Sequence, residues 1–318
     1  MNREKLLAQR VIDRRITLKP SVNDLFALYS TMGGFTARYL AESRDILRAM
    51  FADKDSFNFL SFTADLVATG LRGILAQLIE TGYFGAVVTT CGSLDHDIAR
   101  ACGARYCFGS FDANDEDLRR VKISRLGNIF IPMEDYGMLT EKFVRKCLET
   151  SGGTREVWGG RELVELFADS LPRDRNSILR AARRSGTRVF VPGLMDGAVG
   201  THIFMHSQSH RFVLNPFKDM SELSDIVFEA KKTGALVIGG GISKHHTIWW
   251  NQFKDGLDYA IYLTTASEYD GSLSGARTRE AISWNKLKPR ARQVTVLGDA
   301  TVTLPLLAAT ALSAARND

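Results

Sequence analysis

The chain has 318 residues, 45% hydrophobic and 24% charged, ordinary values for a globular protein and enough for one large α/β domain or two smaller ones. Its net charge of +5 is a mild bias toward acidic partners, but the basic residues are scattered and no aromatic-rich basic motif accompanies them, which argues against nucleic acid. No apolar run approaches bilayer length, and the start MNREKLLAQRVIDRR lacks the apolar stretch of a secretory signal, so a cytoplasmic protein without a membrane partner is expected.

Residues 1–20 read as a polar arm, and Ser21-Val22-Asn23-Asp24 as a helix start. That helix runs to about Ala52 and is broken or bent near Gly33-Gly34. A rhythm follows, in which a short apolar run ends in small or polar residues and an amphipathic helix comes next. The runs are Asn58–Thr63, Ala86–Thr90, Arg188–Val191, Ala235–Ile238, Tyr259–Leu263 and Val294–Leu297. Six such transitions predict a mostly parallel, Rossmann-like doubly wound sheet with helices on both faces, in a single domain over 1–318. Ligands of such sheets sit beyond the carboxyl ends of the strands. The section 134–187 reads as helices. The four cysteines, Cys91, Cys102, Cys107 and Cys147, form no CxxC pair and read as reduced, mostly buried thiols.

The chemistry concentrates between Gly239 and Lys286. Gly239-Gly240-Gly241 follows a strand and precedes a helix, which suits a phosphate turn or a plain tight turn; it does not match GxGxxG. Asp299, at another strand end, suits a ribose hydroxyl or a helix cap. His245 and His246 fall at a helix start, where a neutral imidazole is favoured and can accept a proton from an amine. His202, His206 and His210 recur every four residues without a glutamate between them, a weak metal pattern; no metal is expected. Lys286 follows Trp284 and precedes Lys288, Arg290 and Arg292. An apolar wall and neighbouring cations both disfavour an ammonium, which would make Lys286 a nucleophile toward an imine carbon. In extended chain those four basic residues would share one side, a positive wall to the site or a solvated edge.

The segments GGGISKHH (Gly239–His246), DYAIYLTTASEYDGSLSGAR (Asp258–Arg277), EAISWNK (Glu280–Lys286) and GDATVTLPLL (Gly298–Leu307) resemble deoxyhypusine synthase. Upstream segments around Thr89–Asp97, Arg125–Tyr136 and Pro192–Ser207 extend the likeness over most of the chain. The resemblance implies an NAD-dependent transferase of hypusine biosynthesis, a homotetramer built as a dimer of dimers with active sites at the dimer interface. It implies that a polyamine, spermidine in the family, is oxidised and its butylimine captured on a lysine. The group then passes to a lysine of the hypusine-bearing translation factor. By this likeness Lys286 is the nucleophile, Trp284 its apolar wall, and His245 and Glu280 hold substrate amines. Thr90, Asp196, Gly240, Thr265 and Ala266 would line the NAD, together with Asp270, Ser274, Asp299 and Ala300. Asp95, His96, Thr201, Gly271 and Leu273 fall at further substrate positions. Three of these depart from the family pattern: Thr201, Leu273 and His96 stand where it carries carboxylates. Each lost carboxylate removes a partner for an ammonium. The alternative is therefore a homospermidine-synthase-like transferase with a small amine as acceptor and a donor other than spermidine. A catalytically silent NAD-binding protein would leave Lys286, Trp284, His245 and Glu280 unexplained.

Overall fold

The computed structural model describes residues 13–16, 18–151 and 155–314, so most of the arm expected over 1–20 lies outside the described residues. Ser21 Oγ accepts the amide of Asp24 and the Asp24 carboxylate accepts the amide of Ser21, a capping box that opens helix Val22–Met32. Gly33 and Gly34 then take φ of 72° and 80°, a region that favours glycine, and the chain restarts as helix Phe35–Ala52.

All six expected runs form strands of one sheet: β1 Ser56–Phe62, β2 Ala86–Val88, β3 Arg188–Phe190, β4 Lys232–Ile238, β5 Leu257–Thr264 and β6 Leu287–Leu297. Their order is β6-β5-β4-β1-β2-β3 and every pair is parallel. A parallel sheet must be covered on both faces, and the alternation of side chains shows that it is. Leu60, Phe62, Leu236, Ile238, Ile261 and Leu263 enter the larger core, beneath helices Phe35–Ala52, Leu71–Glu80 and Ala300–Ala314. Phe59, Ala235, Val237, Ala260 and Tyr262 enter a second core with helices Pro216–Glu229 and Gly241–Asn251. The chain builds outward from β1 to β3, returns to β4 beside β1, and builds the other way. The carboxyl ends of β1 and β4 therefore flank the switch point where such sheets hold ligands.

Two features depart from expectation. Within residues 107–132 the strands Cys107–Phe108, Ile129–Pro132 and Ile123–Leu126 form a small antiparallel sheet; they are short, exposed or half-buried, and carry no clear alternation. The mainly helical section 134–187 includes a two-residue strand, Val157–Trp158, paired with Val213–Leu214. Among the cysteines, Cys91 and Cys147 are buried and Cys102 partly so, but Cys107 is exposed. No helix among the described residues is long and apolar enough to cross a membrane.

Candidate active site

After the short helix Glu280–Ser283 the chain turns through Asn285, whose φ of 55° is left-handed, into Lys286. The Lys286 amide donates to Ala281 O at 2.9 Å and its carbonyl accepts from the Leu257 amide at 3.0 Å. The backbone of this lysine is therefore pinned between a helical turn and strand β5. Its side chain is 8% exposed. Nζ lies 5.5 Å from the ring centroid of Trp284 and 5.7 Å from that of Trp249, so two indoles flank it at cation–π distance. A cavity of about 430 Å³ opens here, and His245, Gly271, Leu273, Glu280, Trp284 and Lys286 all line it. These sequence-predicted residues are brought together within one chain.

His245 stacks on Trp249, with ring centroids 5.4 Å apart. Burial, and then the charge of Lys286, lowers its pKa, leaving a neutral imidazole beside the amine. The expected cause was the helix terminus, but His245 and His246 lie in the second turn of Gly241–Asn251 and burial leads. His246 accepts a hydrogen bond from Trp250 Nε1 at 3.2 Å, and burial pushes its pKa to about 4. The two histidines divide: one faces the cavity, the other braces its helix.

Of the two readings of the basic run, a positive wall or a solvated edge, the wall is not formed. Lys286 alone of the four lines the cavity. Lys288 Nζ is 2.8 Å and 2.9 Å from the two carboxylate oxygens of Asp258. Arg290 and Arg292 are exposed on strand β6. Of the acids at the cavity, Glu268 is bound by Arg277, whereas Glu280 has no salt bridge among the described residues. The lining residues that escaped the sequence reading include Trp249, Arg277 and the buried Lys244. Their signal was position alone, one turn of helix from His245 for Trp249 and immediately before it for Lys244.

The glycine turn lies at the carboxyl end of β4, against Thr63 at the end of β1. A Cβ on Gly240 would stand 2.1 Å from Ser274 Oγ, so only glycine fits. The Gly241 amide donates to that same hydroxyl at 3.1 Å, and Thr264 Oγ1 donates to Ser274 O at 3.1 Å. Ser274 thus braces the turn. Asp270 is exposed and accepts the Ser272 amide at 2.7 Å. Thr265 and Ala266 line a second cavity of about 490 Å³ that shares Glu268 and Arg277 with the first. Asp299 accepts the Thr301 amide at 2.7 Å, capping the helix that begins at Ala300 while remaining exposed. Past β2, the Thr90 hydroxyl is buried and has no partner among the described residues. Asp196 is exposed past β3. The positions expected to line NAD therefore follow the carboxyl edge of the sheet from one side to the other.

Three further positions stand apart from the Lys286 cavity in this chain. Asp95 is fully buried and accepts the amides of Ala198 (2.9 Å) and Val199 (2.8 Å) and the Tyr136 hydroxyl (2.9 Å); burial raises its pKa. It clamps the start of helix Ala198–Ser207. His96 Nδ1 is 2.7 Å from Tyr106 Oη, and burial pushes its pKa down to about 4. Thr201 is exposed and bonds the Gly197 carbonyl. Of the histidine series, His206 and His210 stack at 4.0 Å, but His210 lies past the helix end.

Comparisons with known proteins point to a family. The family model for deoxyhypusine synthase matches residues 24–311. A protein of Sulfurisphaera tokodaii named as a probable deoxyhypusine synthase is 50% identical over 312 residues, spanning 98% of this chain and 100% of its own. A protein of Aeropyrum pernix with the same name is 52% identical over 302 residues, 94% of this chain and 97% of its own. The solved structure of an Entamoeba histolytica protein, described as a candidate deoxyhypusine synthase, superposes with a TM-score of 0.65 over 93% of this chain and 94% of that one. At 18% identity that likeness speaks for the fold.

Proposed function

The chain belongs to the deoxyhypusine synthase family and is a transferase of that type, and we propose that it oxidises a polyamine with NAD and carries the butylimine on Lys286 to an acceptor amine. The observation that carries this reading is an amine buried between two indoles, in a cavity with one carboxylate outside any salt bridge among the described residues.

The cavity would hold the donor with an ammonium on Glu280 and its methylene chain against Trp284, Trp249 and Leu273. The neutral His245 can take the proton that a secondary amine must lose before its neighbouring carbon gives up a hydride. The amine of Lys286 then adds to the imine carbon. As the carbon–nitrogen bond to the leaving diamine breaks, 1,3-diaminopropane departs with the proton it needs and the four-carbon unit remains as an imine on Nζ. An acceptor amine displaces Lys286 by the same exchange, and the new imine is reduced, so no oxidant is consumed overall.

NAD fits the residues present: a row of hydroxyls and amides follows the carboxyl edge, the Thr90 hydroxyl is buried without a partner, and Gly240 admits no side chain. Thr90, Asp196, Gly240, Thr265, Ala266, Asp270, Ser274, Asp299 and Ala300 would hold it. When bound it supplies the acceptance and return of one hydride.

In the family reading the acceptor is the lysine of the hypusine-bearing translation factor. One observation favours the alternative, a homospermidine-synthase-like transfer to a small amine from another donor. Leu273 presents an apolar side chain to the cavity where the family pattern has a carboxylate. We further propose a homotetramer with sites at a dimer interface. Ile242, Trp249, Phe253 and Trp284 are 45%, 39%, 51% and 63% exposed near the cavity mouth, apolar surface that a second copy would cover.

Incubating the protein with NAD and spermidine, then borohydride, should fix an alkyl adduct on the peptide containing Lys286. An adduct on another residue, or none with any polyamine, overturns the proposal.

A further inference from the structure

Lys244 is a deeply buried cation for which the proposed reaction has no use. It lies on the first turn of helix Gly241–Asn251 and is 1% exposed. Nζ donates to Leu273 O and to Ala276 O, each at 2.7 Å, and sits 4.2 Å from the ring centroid of Tyr262 on strand β5. A buried ammonium is costly unless it is paired and hydrogen-bonded. Here two backbone carbonyls and a ring face serve in place of a carboxylate.

The two carbonyls belong to the segment 271–277, which supplies Gly271, Leu273, Ala276 and Arg277 to the Lys286 cavity. The helix that carries Lys244 supplies the opposite wall, His245 and Trp249. Arg277 pairs with Glu268 and the Ser272 amide with Asp270, but neither partner lies on that helix; among the described residues the segment's other bond to the helix is neutral, from the Gly241 amide to Ser274 Oγ. A charge-assisted bond to a carbonyl is roughly twice as strong as a neutral one. The strongest link between the two walls is therefore the Lys244 ammonium.

We propose that Lys244 is a positioning residue, a clamp that fixes segment 271–277 against helix Gly241–Asn251 so that the cavity is formed before a polyamine enters. The proposal rests on the Lys286 cavity being the donor site. Pre-formed walls spare the ligand the cost of ordering them, so the clamp acts on KM more than on kcat. The groups that face Lys244 are Tyr262 from β5, Glu280 from the short helix Glu280–Ser283, and the two carbonyls. Burial is the main cause that lowers its pKa, to about 8, and Glu280 opposes it. If the segment lifts away while Lys244 stays buried against Tyr262, the tether it breaks is weaker above pH 8, when three charged donors become two weak ones, and the clamp loosens there.

Lys244→Met and Lys244→Arg test this. With Lys244→Met, KM for the polyamine should rise about tenfold or more while kcat stays within about threefold. In the wild type KM should climb as pH passes 8. Lys244→Arg, charged throughout, should restore much of the affinity at neutral pH and lose that climb. Amide exchange over 271–277 should quicken about tenfold in Lys244→Met. A folded Lys244→Met with wild-type KM and wild-type exchange overturns the clamp. So does a climb that persists in Lys244→Arg, the deciding variant if Lys244→Met fails to fold. If the wild type turns over no polyamine, the functional reading falls, and amide exchange alone judges the clamp.

Discussion

The amine of Lys286 is held between the Trp249 and Trp284 rings, and its backbone is bonded on both sides, so it is pre-positioned for attack. Lys286→Ala should leave the fold intact and lower turnover on the order of 10³-fold or more, measured as product by mass spectrometry, because the other amine on the cavity wall, Lys244, is held by Leu273 O and Ala276 O. Leu273 sets a second test. Leu273→Asp would add a carboxylate to a cavity in which Glu280 is the acid outside a salt bridge. KM for spermidine should fall about five- to tenfold, the scale of one partly exposed ion pair, and an unchanged KM would show that no ammonium reaches that wall. Lys286, Trp284, Glu280 and His245 were legible in the sequence because they stand in contiguous, chemically unusual strings. Trp249 and Lys244 were not. On a helix an indole one turn on reads as ordinary packing, and a lysine reads as solvated until its carbonyl partners, some thirty residues away, are seen.

Helix Gly241–Asn251 carries three groups whose folded pKa values are depressed, Lys244 at about 8 from 10.5, His246 at about 4 from 6.5, and His245 below its ordinary value. In each window the unfolded chain binds more protons than the folded one, so stability rises with pH. Denaturant unfolding should therefore show stability falling as pH drops from 6.5 toward 4, with His96 adding to the slope, since its pKa is also pushed to about 4. Stability should rise between 8 and 10.5, and this second limb should vanish in Lys244→Met. His96 is 8% exposed, so its share of the acid limb is on the order of 2 kcal/mol, and a His96→Gln variant should show a shallower limb by that amount. At this scale the six strands were readable because a parallel strand buried on both faces must be a short, nearly continuous apolar run. The antiparallel strands of 107–132 were not, because exposed or half-buried strands of two to four residues leave no period to count.

For the whole molecule, the sheet order places every predicted cofactor position along one edge and the Lys286 cavity beside it. Asp95, His96 and Thr201 belong to another part of the chain and do not line that cavity. No spacing in the sequence could separate the two groups, because sequence shows which strand end a residue follows and not which cavity it meets. The exposed apolar residues at the cavity mouth supply the test at this scale. Ile242→Asp or Phe253→Asp should reduce the assembly to a smaller species in light scattering and lower activity with it; full activity in a monomer would remove the interface from the site. Strand β6 carries one more consequence. Leu287 pairs with Leu257 and Arg292 with Tyr259, so four residues of β6, Lys288 to Ala291, bulge opposite the single Asp258. That bulge is slack in the chain, sited just after the reactive amine. A residue added or removed within it can be taken up without displacing Lys286 on one side or the Val294–Leu297 rungs on the other. The spot would accept a spectroscopic label or a short tag close to the chemistry yet mechanically decoupled from it.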